Sequence, residues 1–236
     1  MYPTQTCDRY TTSMMAKDTL ALIKNLNWTQ AHIVGASMGG MIALELASMA
    51  PDRIASLTLI VTHASIFSYV QSIYHQWRGM MNVLWSQFQS PEDKAATVLD
   101  VLYPPEYLDG PASSQVHESN NMTRREKMHE FHLQNILRGS PNGQKRVGAR
   151  NQLLATLTHH MSAARLHMIR NVGFPILVIG SRKDALIHVS NTERLYARLA
   201  SNHTIKVIFP NAGHAVTYQE RHSLADLLIS IIHDHR

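Results

Sequence analysis

Two kinds of hydrophobic pattern alternate along the chain and predict its elements. Apolar residues recur three, four and seven positions apart, as on one face of a helix, in residues 14–27 and 219–233. Helices are also predicted over 38–50, which is rich in Ala, Leu and Met, and over 190–200. Short, mostly apolar runs predict buried strands at residues 32–34, 54–61, 176–179 and 205–209. This alternation of strands and helices predicts an α/β fold with a mostly parallel sheet flanked by helices.

Polar residues and proline mark the ends of the predicted helices. Ser13 is the predicted N-cap of the first helix, and Ser190 or Asn191 is that of the helix over 190–200. Pro51 ends the helix over 38–50, because proline disfavours a helical conformation in the residue before it.

The stretch from residue 66 to residue 165 departs from the alternating pattern. It shows no clear strand, it is rich in Met, His, Trp and Gln, and it is irregular between Pro104 and Pro111. We interpret it as a helical insertion between the second and third strands. The predicted organisation is one core, formed by residues 1–65 and 166–236, and one insertion over 66–165.

The composition is typical of a globular protein. Hydrophobic residues make up 44% and charged residues 17% of the 236 positions, which excludes an intrinsically disordered chain. Cys7 is the only cysteine, so no internal disulfide can form, and we expect a reducing, cytoplasmic location. No apolar run reaches the ~18 residues of a membrane helix, so we predict no membrane span.

The formal net charge of +5 includes two basic clusters. The clusters consist of Arg124, Arg125 and Lys127, and of Lys145, Arg146 and Arg150. Clustered cations can contact nucleic-acid phosphates, but no aromatic residues alternate with them. We interpret both clusters as solvated helix faces and predict no nucleic-acid partner. A nucleic-acid-binding module is the alternative that these clusters leave open.

A nucleophile motif lies between the first predicted strand and the helix that follows it. Gly35, Ser37 and Gly39 form the pattern G-x-S-x-G, which in this context indicates a serine on a sharp strand-to-helix turn. We expect that a Cβ atom at Gly35 or at Gly39 would collide with the neighbouring backbone. The motif therefore predicts that the Ser37 hydroxyl is exposed at one edge of the sheet.

A candidate acid and a candidate base follow Ser37 along the chain. Enzymes whose serine lies on such a turn have the order serine, acid, histidine. Asp184 comes just after the third strand, and His214 comes just after the fourth. The ends of parallel strands meet at one edge of a sheet, so these two side chains can converge on Ser37. Taken singly, such an Asp is more often a turn residue and such a His more often structural. Their joint order and placement predict a catalytic triad.

Four segments carry a resemblance to a known family. HIVGASMGG, LTLIVTHA, PILVIGSRKD and VIFPNAGH are similar, in order and spacing, to the serine-nucleophile branch of the α/β-hydrolase fold superfamily. The resemblance implies that Ser37 attacks a carboxylic ester or related acyl substrate, with His214 as base and Asp184 as its partner. It implies that the Met38 N–H stabilises the oxyanion, and that no cofactor takes part. Serine at position 37 argues against the branches that attack with a carboxylate.

The resemblance also raises an expectation about the start of the chain. Family members have about twice as many residues before the nucleophile, including a loop that often begins His-Gly and donates a second oxyanion N–H. No His-Gly pair precedes Gly35, and residues 7–10 resemble the end of the segment after the family's fourth strand. We therefore expect a partial α/β-hydrolase fold, an exposed edge at the strand over 32–34 and self-association through it. The alternative function is a catalytically impaired binding or interaction protein.

The insertion resembles the family's helical cap, which implies that it shapes the substrate pocket. Trp77, Met81 and Trp85, near Met80 and Phe88, are the predicted contacts for a small apolar acyl or ester substrate. The alternative is that they only pack the cap onto the core.

Histidines near acidic residues raise the question of a metal site. The residues concerned are His117, Glu118, His129, Glu130 and His132. Their spacing differs from H-E-x-x-H, so we predict no metal site. His63 follows the second strand, and we interpret it as a loop histidine with satisfied hydrogen bonds.

Overall fold

The computed structural model describes residues 10–65, 70–110, 122–138 and 144–233. Cys7, Pro111, His117 and Glu118 lie outside these residues. The sequence expectations for those four positions stay predictions.

The four predicted strands form one parallel sheet. They are β1 (Ala31–Ala36), β2 (Ile54–Ile60), β3 (Ile176–Ser181) and β4 (Thr204–Phe209), in the spatial order β1-β2-β3-β4. The strand predictions are confirmed, although β1 extends beyond residues 32–34 at both ends. All four strands end at the same edge of the sheet, where Ser37, Asp184 and His214 follow β1, β3 and β4.

Helices occupy most of the remaining described chain. They are α1 (Thr12–Asn25), α2 (Met38–Met49), α3 (Val70–Trp85), α4 (Pro91–Leu102), α5 (Pro105–Leu108), α6 (Arg124–Arg138), α7 (Gln144–Thr158), α8 (Ala163–Val172), α9 (Val189–Leu199), α10 (Val216–Gln219) and α11 (Arg221–His233). The helix predicted over 219–233 is divided between α10 and α11. The fold is thus a parallel sheet flanked by helices, as predicted.

Two predicted helix caps are wrong. The Thr11 side chain, not that of Ser13, accepts a hydrogen bond from the Met14 N–H at the start of α1. At the start of α9 the ring of His188 accepts from the Ser190 N–H, so Ser190 lies inside the helix. Histidine is not among the favoured N-cap residues, and propensity therefore pointed to the wrong position.

The core has one layer of side chains on each face of the sheet. On one face, α1, α2, α8 and α9 contribute Ala16, Leu44, Ile169 and Leu195, which pack against Leu57 and Val178. On the other face, α10 and α11 contribute Val216, Leu224 and Ile231, which pack against Leu177 and Ile179. Because both faces of β3 are covered, every residue of that strand is buried. Burial of the central strands on both sides explains why their sequences are mostly apolar.

β1 is the least buried side of this sheet. Within the described chain it pairs only with β2, and burial alternates along it, with 49% of Val34 exposed. The expected exposed edge is therefore present among the described residues. Backbone groups on such an edge can pair with another strand.

The described chain between β2 and β3 contains α3 to α8 and no strand longer than one bridge. The bridge joins Ser65 to His160, and the Met161 N–H donates to Ala64 O at 2.7 Å. A small apolar cluster of Leu99, Tyr103, Leu108 and Met128 holds α4, α5 and α6 together. The division into a core and a separate cap over 66–165 stays a prediction.

Candidate active site

Ser37 lies on a strained turn between β1 and α2. Its φ of 52° and ψ of −119° are unusual for a residue other than glycine. Two contacts with the end of β2 hold the turn: the Ser37 N–H donates to Ile60 O at 2.9 Å, and the Thr62 hydroxyl donates to Ser37 O at 2.8 Å. Such conformations cost about 1–3 kcal/mol and persist only where the surroundings hold them.

Two glycines, Gly35 and Gly40, allow the turn to pack closely against neighbouring residues. Of these two, the motif predicts only Gly35. A Cβ at Gly35 would lie 2.3 Å from Gly39 O, as the motif predicts. The expectation for Gly39 is wrong, since a Cβ there would meet no atom within 4 Å. Instead, a Cβ at Gly40 would lie 2.6 Å from Thr62 Cβ. This contact involves a side chain 22 positions away, so the local motif could not indicate it.

Alanine substitutions at Gly39 and Gly40 should therefore have different effects on stability. We expect Gly40→Ala to displace Thr62 and the turn, lowering the free energy of unfolding by about 1–3 kcal/mol. Gly39→Ala is the matched control, which we expect to be neutral or stabilising because alanine favours the helix. Urea denaturation of both variants measures the difference. Equal stability of the two variants would contradict the packing seen at Thr62.

The three residues predicted as a triad are connected by hydrogen bonds. His214 Nε2 lies 3.0 Å from Ser37 Oγ, and His214 Nδ1 lies 2.8 Å from Asp184 Oδ2. The carboxylate favours the tautomer with the proton on Nδ1, which leaves Nε2 to accept the serine proton. The structure therefore brings Ser37, His214 and Asp184 into the arrangement that general-base activation of a serine requires.

Backbone N–H groups orient the carboxylate of Asp184. Its Oδ1 accepts hydrogen bonds from the N–H groups of Leu186 at 2.7 Å and Ile187 at 2.8 Å, so Oδ2 is left for His214. The Asp184 side chain is fully buried, whereas that of His214 keeps slight exposure. A buried carboxylate with these partners is held in one orientation.

The loop that carries His214 rests on the end of α4. The Ala215 N–H donates to Leu102 O at 3.0 Å, and a Cβ at Gly213 would lie 2.6 Å from the same oxygen. The Gly213 N–H donates to Gln219 Oε1 at 2.9 Å. Sequence reasoning missed Leu102, because a backbone oxygen of a distant helix leaves no signal in the sequence.

The N–H of Met38 lies at the start of α2, directly after Ser37. Met38 is the first residue of α2, where N–H groups lack partners within the helix and the dipole favours an anion. Among the described residues this N–H has no hydrogen-bond acceptor. The geometry therefore suits the predicted oxyanion role of Met38.

The predicted substrate contacts on α3 are largely exposed. Trp77, Met81 and Trp85 lie on one exposed face of α3. The other face approaches the loop of Asp184, where a Cβ at Gly79 would lie 2.3 Å from Ala185 O. The alternative of packing onto the core does not hold for these three exposed side chains, and their role in substrate binding stays a prediction.

His63 is not a satisfied loop histidine, so that expectation is wrong. It is 1% exposed, and neither ring nitrogen has a hydrogen-bond partner among the described residues. Burial, and secondarily the nearby His159, lowers the pKa of His63 to about 3. Burial also lowers the pKa of His159 to about 4, with Arg165 and His160 adding to the effect. Both rings are therefore neutral near pH 7.

Glu45, a buried carboxylate on α2, lies next to His159. Glu45 Oε2 pairs with Arg165 at 2.6 Å, and Glu45 Oε1 lies 3.7 Å from His159 Nδ1. His159 Nδ1 also hydrogen-bonds to Thr12 Oγ1 at 2.9 Å. The cluster links α1, α2 and α8 on the sheet face below Ser37, and it contacts none of the three triad side chains.

Metal-ligating groups do not converge in the described part of the chain. No three His, Cys, Asp or Glu residues there could hold a metal ion, and the predicted absence of a metal site stays a prediction. His129 contacts the backbone oxygen of Glu92 instead.

Residues of the first basic cluster contact other residues of the same chain. Arg125 pairs with Asp100 and Asp109, and Arg124 donates to Tyr107 O. These contacts favour a solvated, ion-paired helix face over a phosphate-binding surface.

In the described ranges, no helix is long and apolar enough to cross a membrane.

Comparison with known proteins gives relatives that differ in their named activities. A protein named as the non-heme bromoperoxidase BpoC of Mycobacterium tuberculosis (strain CDC 1551 / Oshkosh) is 40% identical over 63 residues, which are 27% of this chain and 24% of that protein. The matched segment thus spans about a quarter of BpoC. A protein named as the carbamate hydrolase RutD of Caulobacter vibrioides is 25% identical over 224 residues, which are 95% of this chain and 73% of that protein.

Solved structures share the fold, and a family profile covers most of the chain. The meta-cleavage product hydrolase CumD of Pseudomonas fluorescens IP01 has a TM-score of 0.71 at 14% identity, covering 99% of this chain and 76% of that chain. MGS-M2, an alpha/beta hydrolase enzyme from a deep-sea metagenome library, has a TM-score of 0.74 at 20% identity, covering 96% and 73%. The profile of the alpha/beta hydrolase fold matches residues 3–220. This chain belongs to the alpha/beta hydrolase fold family.

Proposed function

We propose that the protein is a serine hydrolase that cleaves a carboxylic ester or related acyl substrate through an acyl-enzyme. The observation that carries this proposal is the continuous hydrogen-bond path from Ser37 Oγ through the His214 ring to Asp184, with contacts of 3.0 and 2.8 Å. The relatives named as hydrolases support the same class of reaction.

The reaction begins when Ser37 Oγ attacks the substrate carbonyl carbon. Its proton moves to His214 Nε2, while Asp184 stabilises the imidazolium and the Met38 N–H binds the oxyanion. The tetrahedral intermediate then collapses, and the leaving alcohol takes the proton from Nε2. Water, deprotonated by the same nitrogen, hydrolyses the acyl-enzyme and restores Ser37. Every step uses groups of the protein and water, so the proposal includes no cofactor.

In this proposal the segment over 66–165 acts as a cap over the site. The close approach of Gly79 on α3 to Ala185, next to Asp184, supports this role. A cytoplasmic location is a further part of the proposal. A small apolar acyl or ester substrate is the proposed ligand. The competing candidate is a catalytically impaired binding or interaction protein of the same fold.

Labelling with a fluorophosphonate probe tests the proposal. We expect covalent attachment at Ser37 in the unmodified protein and none in Ser37→Ala or His214→Ala, because the probe reacts with an activated serine. Mass spectrometry of the labelled peptide locates the adduct. Absence of label on protein whose circular dichroism shows it to be folded would favour the non-catalytic binding protein.

Self-association through β1 is the proposed behaviour of the exposed edge. β1 is mostly apolar, and within the described chain only one of its two sides is paired, so it can pair with β1 of a second copy. We therefore expect dimers or larger species at micromolar concentration. Val34→Lys should shift the protein towards monomer, and Ile229→Lys is the control, because Ile229 on α11 is similarly exposed at 53%. Multi-angle light scattering gives the mass. A monodisperse monomer of the unmodified chain would contradict this proposal.

A further inference from the structure

The chain bends at Val61, directly after β2. Val61 has a φ of 42°, although β-branched residues rarely adopt a positive φ. Its side chain is buried, and its N–H donates to Ile179 O of β3 at 2.8 Å. Strained residues persist only where their surroundings hold them, and they cluster at functional sites. Residues 60–62, which we call the β2 corner, are therefore candidates for a functional role.

Both backbone polar groups of Ser37 are bound by the β2 corner. The Ser37 N–H donates to Ile60 O at 2.9 Å, and the Thr62 hydroxyl donates to Ser37 O at 2.8 Å. In an extended strand the carbonyl groups point along the sheet towards neighbouring strands, whereas the side chains stand roughly perpendicular to it. The bend at Val61 therefore allows the carbonyl of residue 60 and the side chain of residue 62 to reach the same serine.

These two contacts constrain the torsion angles that place the Ser37 hydroxyl. The bond to the N–H limits rotation about φ, and the bond to the carbonyl limits rotation about ψ, which are 52° and −119°. The N–H groups of Gly40 and Met41 also donate to Ser37 O, at 3.0 and 3.3 Å, but they belong to α2 and would move with the turn. Thr62 belongs instead to the chain that leaves β2, so its hydroxyl ties the turn to the sheet.

The β2 corner also shares a buried cluster with the loop of His214. Val61 belongs to the apolar cluster that contains Ala212 and Val216, which lie two positions before and two positions after His214. The corner is therefore common to the surroundings of the nucleophile and of the base. A shift of the corner would change the distance of 3.0 Å between Ser37 Oγ and His214 Nε2.

We propose that Thr62 is a positioning residue, which holds Ser37 Oγ within hydrogen-bond distance of His214 Nε2 by binding the Ser37 carbonyl. The inference rests on the proposed hydrolase function and adds a residue to it. Thr62 is 1% exposed, and its hydroxyl contacts Ser37 O rather than Oγ, so it takes no part in the proton transfer. A misplacement of about 1 Å can lower the rate of an enzyme by about 10²-fold, which sets the size of the expected effect.

Thr62→Val tests the proposal, because valine has nearly the shape of threonine and lacks the hydroxyl. We expect the rate constant of fluorophosphonate labelling and kcat for a p-nitrophenyl ester to fall by about 10- to 100-fold, with little change in KM. The final amount of label should stay at one for each chain. A merely structural role would instead lower the final amount of label, through unfolded protein, and leave the rate constant unchanged. Thr62→Ser keeps the hydroxyl and should stay within about fivefold of the unmodified protein.

Thr58→Val is the matched control. Thr58 is a threonine of β2 that is 1% exposed, and its hydroxyl has no hydrogen-bond partner among the described residues. The control makes the same chemical change four positions earlier without removing a hydrogen bond seen in the described chain. Its labelling rate constant and its kcat should therefore equal those of the unmodified protein.

The nitrogen resonances of the His214 ring give a second readout, which needs no turnover. In long-range ¹H–¹⁵N correlation spectra the Nε2 resonance depends on whether this nitrogen accepts the Ser37 proton, and its loss in His214→Ala assigns it. We expect Thr62→Val to shift this resonance towards its position in Ser37→Ala. Thr62→Ser and Thr58→Val should leave it in place.

The two readouts separate this proposal from the hydrolase proposal. If the unmodified protein takes no label but Thr62→Val still shifts the Nε2 resonance, the hydrolase proposal fails and the positioning of Ser37 by Thr62 stands. The positioning role is overturned if Thr62→Val matches Thr58→Val in the Nε2 resonance. It is equally overturned if the unmodified protein is labelled and the two variants have the same rate constant.

Thr62→Cys replaces Thr62→Val if the valine variant does not fold. A thiol is a weaker hydrogen-bond donor than a hydroxyl, so the labelling rate constant should fall by a smaller factor of about three to ten. A rate constant equal to that of Thr58→Val would again overturn the positioning role.

Discussion

Replacing His214 with alanine should lower kcat for a p-nitrophenyl ester by about 10⁴- to 10⁶-fold, with little change in KM. Without His214 Nε2, which lies 3.0 Å from Ser37 Oγ, no base can take the serine proton as the bond to carbon forms. Ser37→Ala should have an effect of the same size. Combining the two substitutions should add almost nothing, because both remove the same proton transfer.

Asp184→Asn should reduce kcat by a smaller amount, about 10⁴-fold. An amide in place of Oδ2 cannot stabilise the imidazolium, and it favours the tautomer whose Nε2 already carries a proton. The N–H groups of Leu186 and Ile187 would still hold the side chain in place, so the fold should be kept.

His167→Ala is the control for these substitutions. His167 is exposed on α8, outside the triad, and its ring contacts Asn171. Its substitution should leave kcat and KM unchanged. Initial rates at several ester concentrations provide both parameters. Rates in His214→Ala close to those of His167→Ala would contradict the proposed role of the triad.

Acidification from pH 7.5 to pH 5 should lower the free energy of unfolding by about 4 kcal/mol through two buried histidines. His63 and His159 have pKa values of about 3 and about 4 in the folded protein, against 6.5 for an ordinary histidine. Below pH 6.5 the unfolded chain therefore binds two protons that the folded protein does not. Stability is full above pH 6.5 and falls with pH, by about 2 kcal/mol for each histidine at pH 5.

His63→Leu should remove about half of this pH dependence. Leucine replaces a ring whose two nitrogens have no partner among the described residues, so the variant should also be at least as stable at pH 7.5. His167→Leu, at an exposed position, is the control and should keep the full dependence. Urea denaturation at pH 7.5, 6 and 5 measures each free energy. If the free energy of unfolding falls with pH as steeply in His63→Leu as in the control, the assignment to buried histidines is contradicted.

The loss of stability at low pH should also affect the candidate site, because α2 connects His159 to Ser37. The first turn of α2 follows Ser37, and Glu45 of α2 lies 3.7 Å from His159. When His159 takes a proton, its burial is no longer favourable, and α1, α2 and α8 lose a common contact. We therefore expect fluorophosphonate labelling to decline together with stability as the pH falls.

The sequence by itself determined the strands, most helices and the positions of Ser37, Asp184 and His214. Each rests on a local signal: an apolar run of strand length, a helical spacing, or a polar residue directly after a strand. Parallel pairing then placed all three residues at one edge of the sheet. The convergence of residues 177 positions apart, Ser37 and His214, followed from topology without any contact being known.

Only the tertiary structure decided which side chains support that site and which lie apart from it. Gly40 touches Thr62, Gly79 touches Ala185, and Gly213 touches Leu102, so the need for each glycine depends on a distant neighbour. The same holds for His63, whose low pKa comes from burial that no nearby residue in the sequence reveals. Spacing and propensity act over a few residues, whereas close packing and desolvation arise from segments that meet only when the chain has folded.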